Sequence, residues 1–508
     1  MNETDIRRHD LDALRGLAML LGIVLHAVLA FFPSSWPVQD RASGLAGLFD
    51  EVFLGIHGFR MPVFFLLSGY FTTMLWRRRG LRQLLWQRLR RIGLPLAIGL
   101  VTVVPLLDWM TREALASTRD IWLAVLRQDT AAVARILDSG LDPNAPRGDG
   151  GATPLHTAAL VGDASVAELL LDAGADPDTP DDDGGTPLGF AFWAGSEAVA
   201  DLLVSRGVDD VRPPGTAWAD LQGWGEGSDA RALTGVLPVG SWLFSFYHLW
   251  FLWLLLWLVA GFALPAYLID RRAKSAAAAA TREWPRWAMW ALVPLTMLPQ
   301  LAMGNGGAAP FFGPDTSAGV VPVPHVLAYY ALFFSFGALL YGRRDRHGTL
   351  LIDALGRRWK LLLPTVIFVV LPLGLLLTFM DGWRNWTLAS MAQVAYSWGM
   401  TFALIGVFRS AMRTERRGVR YLADSSYWLY FSHLPLVIAG QLLIRDWEAP
   451  AVVKFSILVV GVTGLLLAGY QLLVRYTPVG SLFNGKRPRL QTALQAACGT
   501  DRDSVDHH

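Results

Sequence analysis

The chain has 508 residues, 53% of them hydrophobic, with 21 tryptophans, a mean hydropathy of +0.36 and a net charge of only +2. A soluble globular protein of this size does not keep so apolar a composition in water, so the sequence reads as an all-α, polytopic membrane helix bundle, and nothing in it points to nucleic acid. The single cysteine, Cys498, excludes an intrachain disulfide, and no Cys/His cluster has metal-ligand spacing, so no metal is expected.

The first apolar stretch, DLDALRGLAMLLGIVLHAVLAFF (10–32), is long, interrupted by Arg15 and without a small-x-small cleavage site, which predicts a retained span rather than a removed leader. Arg15 and His26 are eleven residues apart, nearly three whole helical turns. Both therefore project from one face, about 16 Å apart along the axis, and Asp12 stands one turn before Arg15, where it can pair with the guanidinium. An ionisable group inside a bilayer is a functional candidate by default. The plainer alternative is that Arg15 snorkels to the inner interface and His26 bonds a neighbouring helix. HGFRMPVFFLLSGYF (57–71) follows, with His57 and Arg60 at i,i+3 near the level of His26, and Ser68 and Gly69 deeper, where small residues permit close helix contact. A basic run, RRRGLRQLLWQRLRR (77–91), precedes a third span that carries two prolines.

Residues 111–240 break the pattern, holding 21 acidic side chains against eight arginines and no lysine. Thr153-Pro154-Leu155 recurs 33 residues later at Thr186-Pro187-Leu188, and Gly140-Leu-Asp142 recurs at Gly174-Ala-Asp176 and Gly207-Val-Asp209. A 33-residue period with TPLHTAA opening a helix is the ankyrin-repeat signature, with two clear repeats after a degenerate one at about 117–149. The acidity solvates a small module or marks a binding face.

Beyond the insert, SFYHLWFLWLLLWL (245–258) places His248 at the start of a helix, and His325 opens another, both at the level of His26 and Arg60. Together these groups predict a wet cavity in one leaflet. Ser432-His433 is placed toward the inner side, outside that pocket. Segments long enough to cross about 30 Å of hydrocarbon fall near 12–32, 56–76, 92–110, 242–264, 287–303, 325–342, 360–380, 388–408, 427–444 and 452–474, which predicts about ten spans. Lys and Arg concentrate in alternate loops, so both termini are expected in the cytoplasm and the insert outside; a re-entrant third span would reverse the side of the insert.

Five segments in order, DLDALRGLAMLLGIVLHAV, GFRMPVFFLLSGYF, RLRRIGLPL, YHLWFLWLLL and SSYWLYFSHLPLV, resemble the bacterial membrane acyltransferases of the acyltransferase-3 type, nearest to the glucan C-type branch associated with succinylation of periplasmic glucans. The resemblance covers 8–110 and 240–485 and implies a multi-pass protein of the bacterial inner membrane. It divides the chain into a membrane domain (1–110 and 240–485), an ankyrin insertion (117–212) and a cytoplasmic tail (486–508) expected to be disordered. It also implies transfer of an acyl group, acetyl or succinyl in class, from cytoplasmic acyl-CoA to a hydroxyl of an extracytoplasmic glycan, with acyl-CoA as donor, no bound cofactor, and a protein partner for the repeats.

The Arg-x10-His motif of the family carries over onto Arg15 and His26, and its Phe-Arg-Met-Pro segment onto Arg60. Transfer to a hydroxyl needs a base and a donor for the developing oxyanion. His26 suits the first role and Arg60 or His248 the second. Arg15, with Asp12, would hold the donor, and His57 and His325 are further substrate-binding candidates. SFYHLWF departs from the double-histidine form expected there, with Tyr247 before His248. A transporter of small polar metabolites and a membrane-tethered ankyrin adaptor are the alternatives; no internal symmetry supports the first, and ten helices exceed what the second needs.

Overall fold

The computed structural model describes residues 8–32, 36–40, 46–116, 121–146, 151–181, 184–209, 246–275, 286–303, 311–379, 383–412, 414, 416–477 and 480. The expected tail, 486–508, lies outside the described residues. The regular elements of the described residues are all helical, with one isolated bridge, Arg344–Leu350, as the sole extended pairing among them.

The first membrane segment holds α1 (His9–Val28) and α2 (Ala46–Arg88), then a π-turn (Leu89–Gly93), α3 (Leu94–Val101) and α4 (Val103–Ala116). Gly80, at φ 77° and ψ 166°, bends α2 where a side chain would strain the backbone. Pro105 has no N–H to offer Val101, and the helix breaks at Thr102. The second segment opens with a 3-10 turn (Tyr247–Leu249) into α11 (Trp250–Ser275), followed by the short helices α12 (Arg286–Trp290), α13 (Leu292–Leu295) and α14 (Met297–Leu301). Then come α15 (Pro324–Leu340), α16 (Leu351–Leu355), α17 (Trp359–Thr365), α18 (Leu371–Thr378), α19 (Trp383–Ala411), α20 (Arg417–Ile444) and α21 (Ala451–Gly469).

Between the segments lie α5 (Ile121–Leu126), α6 (Thr130–Asp138), α7 (Pro154–Val161), α8 (Ala164–Asp172), α9 (Pro187–Ala194) and α10 (Glu197–Ser205), three helix pairs around their own apolar core. Thr153 and His156 form a capping box with Pro154 at the first helical position, which is the physical content of the TPLH signature.

Seven helical stretches of the described residues are long and apolar enough to cross a membrane: His9–Val28, Gly47–Ala114, Tyr247–Arg271, Trp359–Thr378, Asn385–Ala411, Arg417–Ile444 and Ala451–Val474. The expected count of about ten differs for three local reasons. The segments 56–76 and 92–110 fall within the one 68-residue stretch, α15 is 17 residues long, and 287–303 is broken into short helices by Pro294 and Pro299. Phe368, Leu376, Val460 and Leu472, each more than half exposed, belong to an apolar outer surface suited to lipid.

Two close contacts at one helix crossing set the interior. A Cβ at Gly69 of α2 would lie 1.9 Å from the Phe334 carbonyl oxygen, and one at Gly337 of α15 would lie 1.9 Å from that of Leu66, so the two helices pack antiparallel, backbone to backbone. At the start of α1, Arg8 bridges Asp10 at 2.7 Å and Asp353 at 2.6 Å, and Arg409 reaches Asp353 at 3.3 Å, which fixes that helix along its axis. Because the carbonyls facing Gly69 are main chain and cannot swing aside, Gly69→Ala is expected to destabilise the protein by about 1–3 kcal/mol or more. Gly461, with nothing near its Cβ position, is expected to accept Ala with no loss. Thermal unfolding of the two detergent-purified variants reads the difference; equal melting temperatures contradict the crossing.

Candidate active site

α1 and α20 run parallel with a constant offset. Gly16 lies against Ala423, where a Cβ would come within 3.3 Å of the backbone, and ten residues on His26 meets His433, again 407 positions apart. His26 Nδ1 is 2.9 Å from His433 Nε2 and 2.8 Å from the Gly22 carbonyl oxygen, and His433 Nδ1 is 2.7 Å from the Tyr430 carbonyl oxygen. Carbonyls only accept, so these partners assign the tautomers. His433 donates Nδ1–H to Tyr430 and accepts at Nε2, and His26 donates its Nδ1–H between His433 and Gly22. That leaves the lone pair on Nε2 of His26, whose ring is partly exposed, with no hydrogen bond among the described residues.

His248 enters from the turn before α11. Its ring stands 5.1 Å from that of His433, nearly perpendicular, and Nε2 donates to the Phe431 carbonyl at 3.2 Å. The Tyr430 hydroxyl in turn donates to the His248 carbonyl at 2.5 Å. The buried Nδ1 of His248 has no hydrogen-bond partner among the described residues. Arg60 completes the group. A Cβ at Gly22 would lie 2.6 Å from Arg60 Nη1 and 3.9 Å from His433 Nε2, so the missing side chain of Gly22 is the space the guanidinium occupies. Arg60 is within electrostatic reach of all three histidines, and no hydrogen bond or ion pair to it is found among the described residues. A cation without a counter-charge, beside an imidazole with a free lone pair, can hold an anion at one atom and remove a proton at another.

His26, Arg60 and His248 therefore stand together, as expected from the sequence. His433 corrects the expectation that placed it toward the inner side. The helix begins at Arg417, ten residues before the apolar run at 427, so His433 lies sixteen residues along it, at nearly the depth that His26 reaches seventeen residues from His9. Tyr430 was likewise not singled out. The signal was present in SSYWLYFSH, whose His433 follows Tyr430 by three residues and so shares its face.

The other candidates lie apart. His57 donates to the Pro314 carbonyl at 2.8 Å and stacks on Phe53, which ties α2 to the 311–318 segment. His325 is 3.7 Å from Asp315, partly exposed on that same segment. Arg15 is 3.5 Å from Asp12 and lies over the Phe71 ring, about 16 Å along α1 from His26. Arg88, bonded to Thr72 at 2.9 Å, is within electrostatic reach of both Arg15 and Arg91, so that end of the bundle gathers positive charge.

The connection after α1 covers the histidines. Trp36 stacks on His26 with ring centroids 5.8 Å apart and donates to Gln441 at 2.7 Å, while Gln441 donates to the His26 and Ala27 carbonyls. This connection is anchored by Asp40, whose carboxylate meets Lys454 of α21 at 2.7 Å with both side chains at most 2% exposed.

Comparison with known proteins places these residues in a wider set. The acyltransferase domain family model matches residues 8–126 and 203–470, and an ankyrin model of three copies matches 121–212. Glucans biosynthesis protein C of Salmonella schwarzengrund (strain CVM19633) is 41% identical over 102 residues, and that of Escherichia coli (strain K12) is 40% identical over the same length. In each case the match takes in 20% of this chain and spans 25% of the relative's length.

Removing one partner of a buried ion pair leaves an uncompensated charge, so Lys454→Met alone is expected to destabilise the protein by about 3–5 kcal/mol. The Lys454→Met/Asp40→Leu double substitution is expected to regain most of that loss. Unfolding of the purified variants checks the ordering; a double variant less stable than the single one contradicts it.

Proposed function

Because this chain belongs to the acyltransferase-3 family, and is thus a membrane acyltransferase, we propose that it moves an acyl group, acetyl or succinyl in class, from acyl-CoA to a hydroxyl of an extracytoplasmic glycan. The observation that carries the reading is the uncompensated Arg60 beside the His26–His433 pair. The name of the relatives, glucans biosynthesis protein C, makes a glucan the first acceptor to test.

In the proposed reaction the acceptor hydroxyl gives its proton to His26 Nε2 as its oxygen attacks the thioester carbonyl. Negative charge develops on the carbonyl oxygen and is met by Arg60, with preorganised charge in an apolar surround acting more strongly than it would in water. Collapse of the tetrahedral adduct breaks the carbon–sulfur bond, and the imidazolium returns the proton to the leaving thiolate. The bond from His26 Nδ1–H to His433 Nε2 holds the ring in the tautomer that makes Nε2 the base, and it strengthens when His26 becomes charged. His248, whose Nδ1 has no hydrogen bond among the described residues, stands as a second acceptor of protons or hydroxyl hydrogen bonds. Arg15 with its basic neighbours supplies a place for the phosphates of the donor, with Asp12 orienting the guanidinium.

The assay is acyl transfer from acyl-CoA to a glucan by the full-length protein in nanodiscs, read by mass spectrometry. His26→Ala and Arg60→Ala are each expected to lower kcat by about 100-fold or more. Arg15→Ala is expected to raise the KM for acyl-CoA more than it lowers kcat, and His433→Ala to lower kcat by about tenfold or more. Wild-type turnover retained in the His26 variant rules out the base; normal turnover in all four variants rules out the site.

We propose further that both termini are cytoplasmic and that the ankyrin repeats are extracytoplasmic, on the distribution of Lys and Arg among the short loops. In a cysteine-free background, a cysteine at Ser165 is expected to react with a membrane-impermeant thiol reagent in intact cells, and one at Thr414 only after permeabilisation. The reverse pattern inverts the insert.

A further inference from the structure

Tyr247 is one of two non-glycine residues of the described chain with positive φ, at 45°, and it immediately precedes His248. The other is Gln128, at 56°, in the first ankyrin repeat. Arg127, the residue before Gln128, lies within electrostatic reach of Tyr247 across the boundary between the insert and the membrane domain. The Tyr247 hydroxyl is hydrogen-bonded to Asp108 of α4, which Arg112 holds from one turn further on at 2.9 Å.

The repeat itself does not call for this arginine. Positions 128, 162 and 195 are equivalent left-handed turns, with glycine at the latter two, and the residues before them are Arg127, Val161 and Ala194. The first repeat thus departs from the other two at both positions. Gln128 is held in its turn by a side-chain bond to the Val161 carbonyl at 3.2 Å, which also fixes where Arg127 stands.

On the membrane side the turn that presents His248 is gripped at each residue. The Phe246 N–H donates to the Ala318 carbonyl at 2.8 Å, Tyr247 engages α4, and His248 engages Tyr430 and Phe431 of α20. A left-handed tyrosine persists only when its surroundings over-determine it. Its side chain meets α4 while that of the next residue meets α20. Loosening the tyrosine lets the backbone relax and swings the imidazole away from His433.

We propose that Tyr247 is a positioning residue for His248, and that the first ankyrin repeat, through Arg127, forms part of its support, so that the insert is mechanically continuous with the acyl-transfer site. This rests on the assignment of that site to acyl transfer.

The test uses the full-length protein and two readouts, acyl transfer and amide hydrogen exchange of the peptide covering 246–250. Tyr247→Phe and Arg127→Ala are each expected to lower kcat about tenfold with the KM for acyl-CoA unchanged, and the double variant to fall no further than either single one. Arg127→Lys is expected to keep most of the activity, and Arg206→Ala, in a surface ion pair of the last repeat, to match the wild type. Exchange at 246–250 is expected to quicken in Arg127→Ala while the α7–α10 amides stay protected. Should that variant loosen the repeats, Asp108→Asn tests the hold on Tyr247 from the membrane side and is expected to quicken the same amides. Unchanged exchange at 246–250 in Arg127→Ala and Asp108→Asn, or multiplicative losses of kcat in the double variant, overturns the proposal. A wild type that transfers no acyl group refutes the enzymatic reading instead, and the exchange measurement still decides the support.

Discussion

Two histidines on separate helices can form a lasting hydrogen bond within a membrane only if the helices are parallel, in register and unable to slide. Here α1 and α20 meet that condition. Gly16 lets them approach at one end, Gln441 bonds the carbonyls of His26 and Ala27 at the other, and Arg8 with Asp10 and Asp353 stops axial slip. A shift of one residue turns a side chain by about 100° around the helix and takes the imidazoles out of contact. The backbone carbonyls of Gly22 and Tyr430 then assign the ring protons, so the helices themselves decide which nitrogen of His26 keeps its lone pair.

Arg60 depends on the same seam from the other side. Its guanidinium occupies the space that Gly22 leaves, on a helix whose position is set by the glycine crossing of α2 and α15. Farther along, α2 carries Arg88 toward Arg15. One helix thus lines the bundle from the candidate oxyanion cation to the basic end, and α1 does so in parallel from His26 to Arg15. The proposal of an acyl-CoA donor rests on that arrangement of charge.

The insert brings a second architecture under different rules. Its three helix pairs bury their own apolar cluster, and the second and third owe their turns to Thr-Pro starts and left-handed glycines. Where the first repeat abandons those rules, with Arg127-Gln128, the arginine comes within electrostatic reach of Tyr247, beside His248. Deviations from a repeat pattern are informative because neighbouring repeats supply the reference within the same chain.

Periodicity and composition determined much by themselves: an all-helical membrane protein, the 33-residue repeat, and Arg15 and His26 on one face of the first helix. These are local facts, set by spacing at 3.6 residues per turn and by the cost of burying charge. Arg60 and His248 were legible as candidates because ionisable groups in apolar runs are conspicuous wherever they lie. His433 was misplaced because its depth depends on where its helix starts, and Arg417–Arg420 belong to that helix though hydropathy assigns them to a loop. His57 looked equivalent to Arg60 in sequence, yet the Pro314 carbonyl engages it from 257 residues away. Only the tertiary structure decided which ionisable groups share a site and which tautomer each adopts, because those follow from the register between helices distant in sequence and from the backbone carbonyls that the register brings opposite each ring.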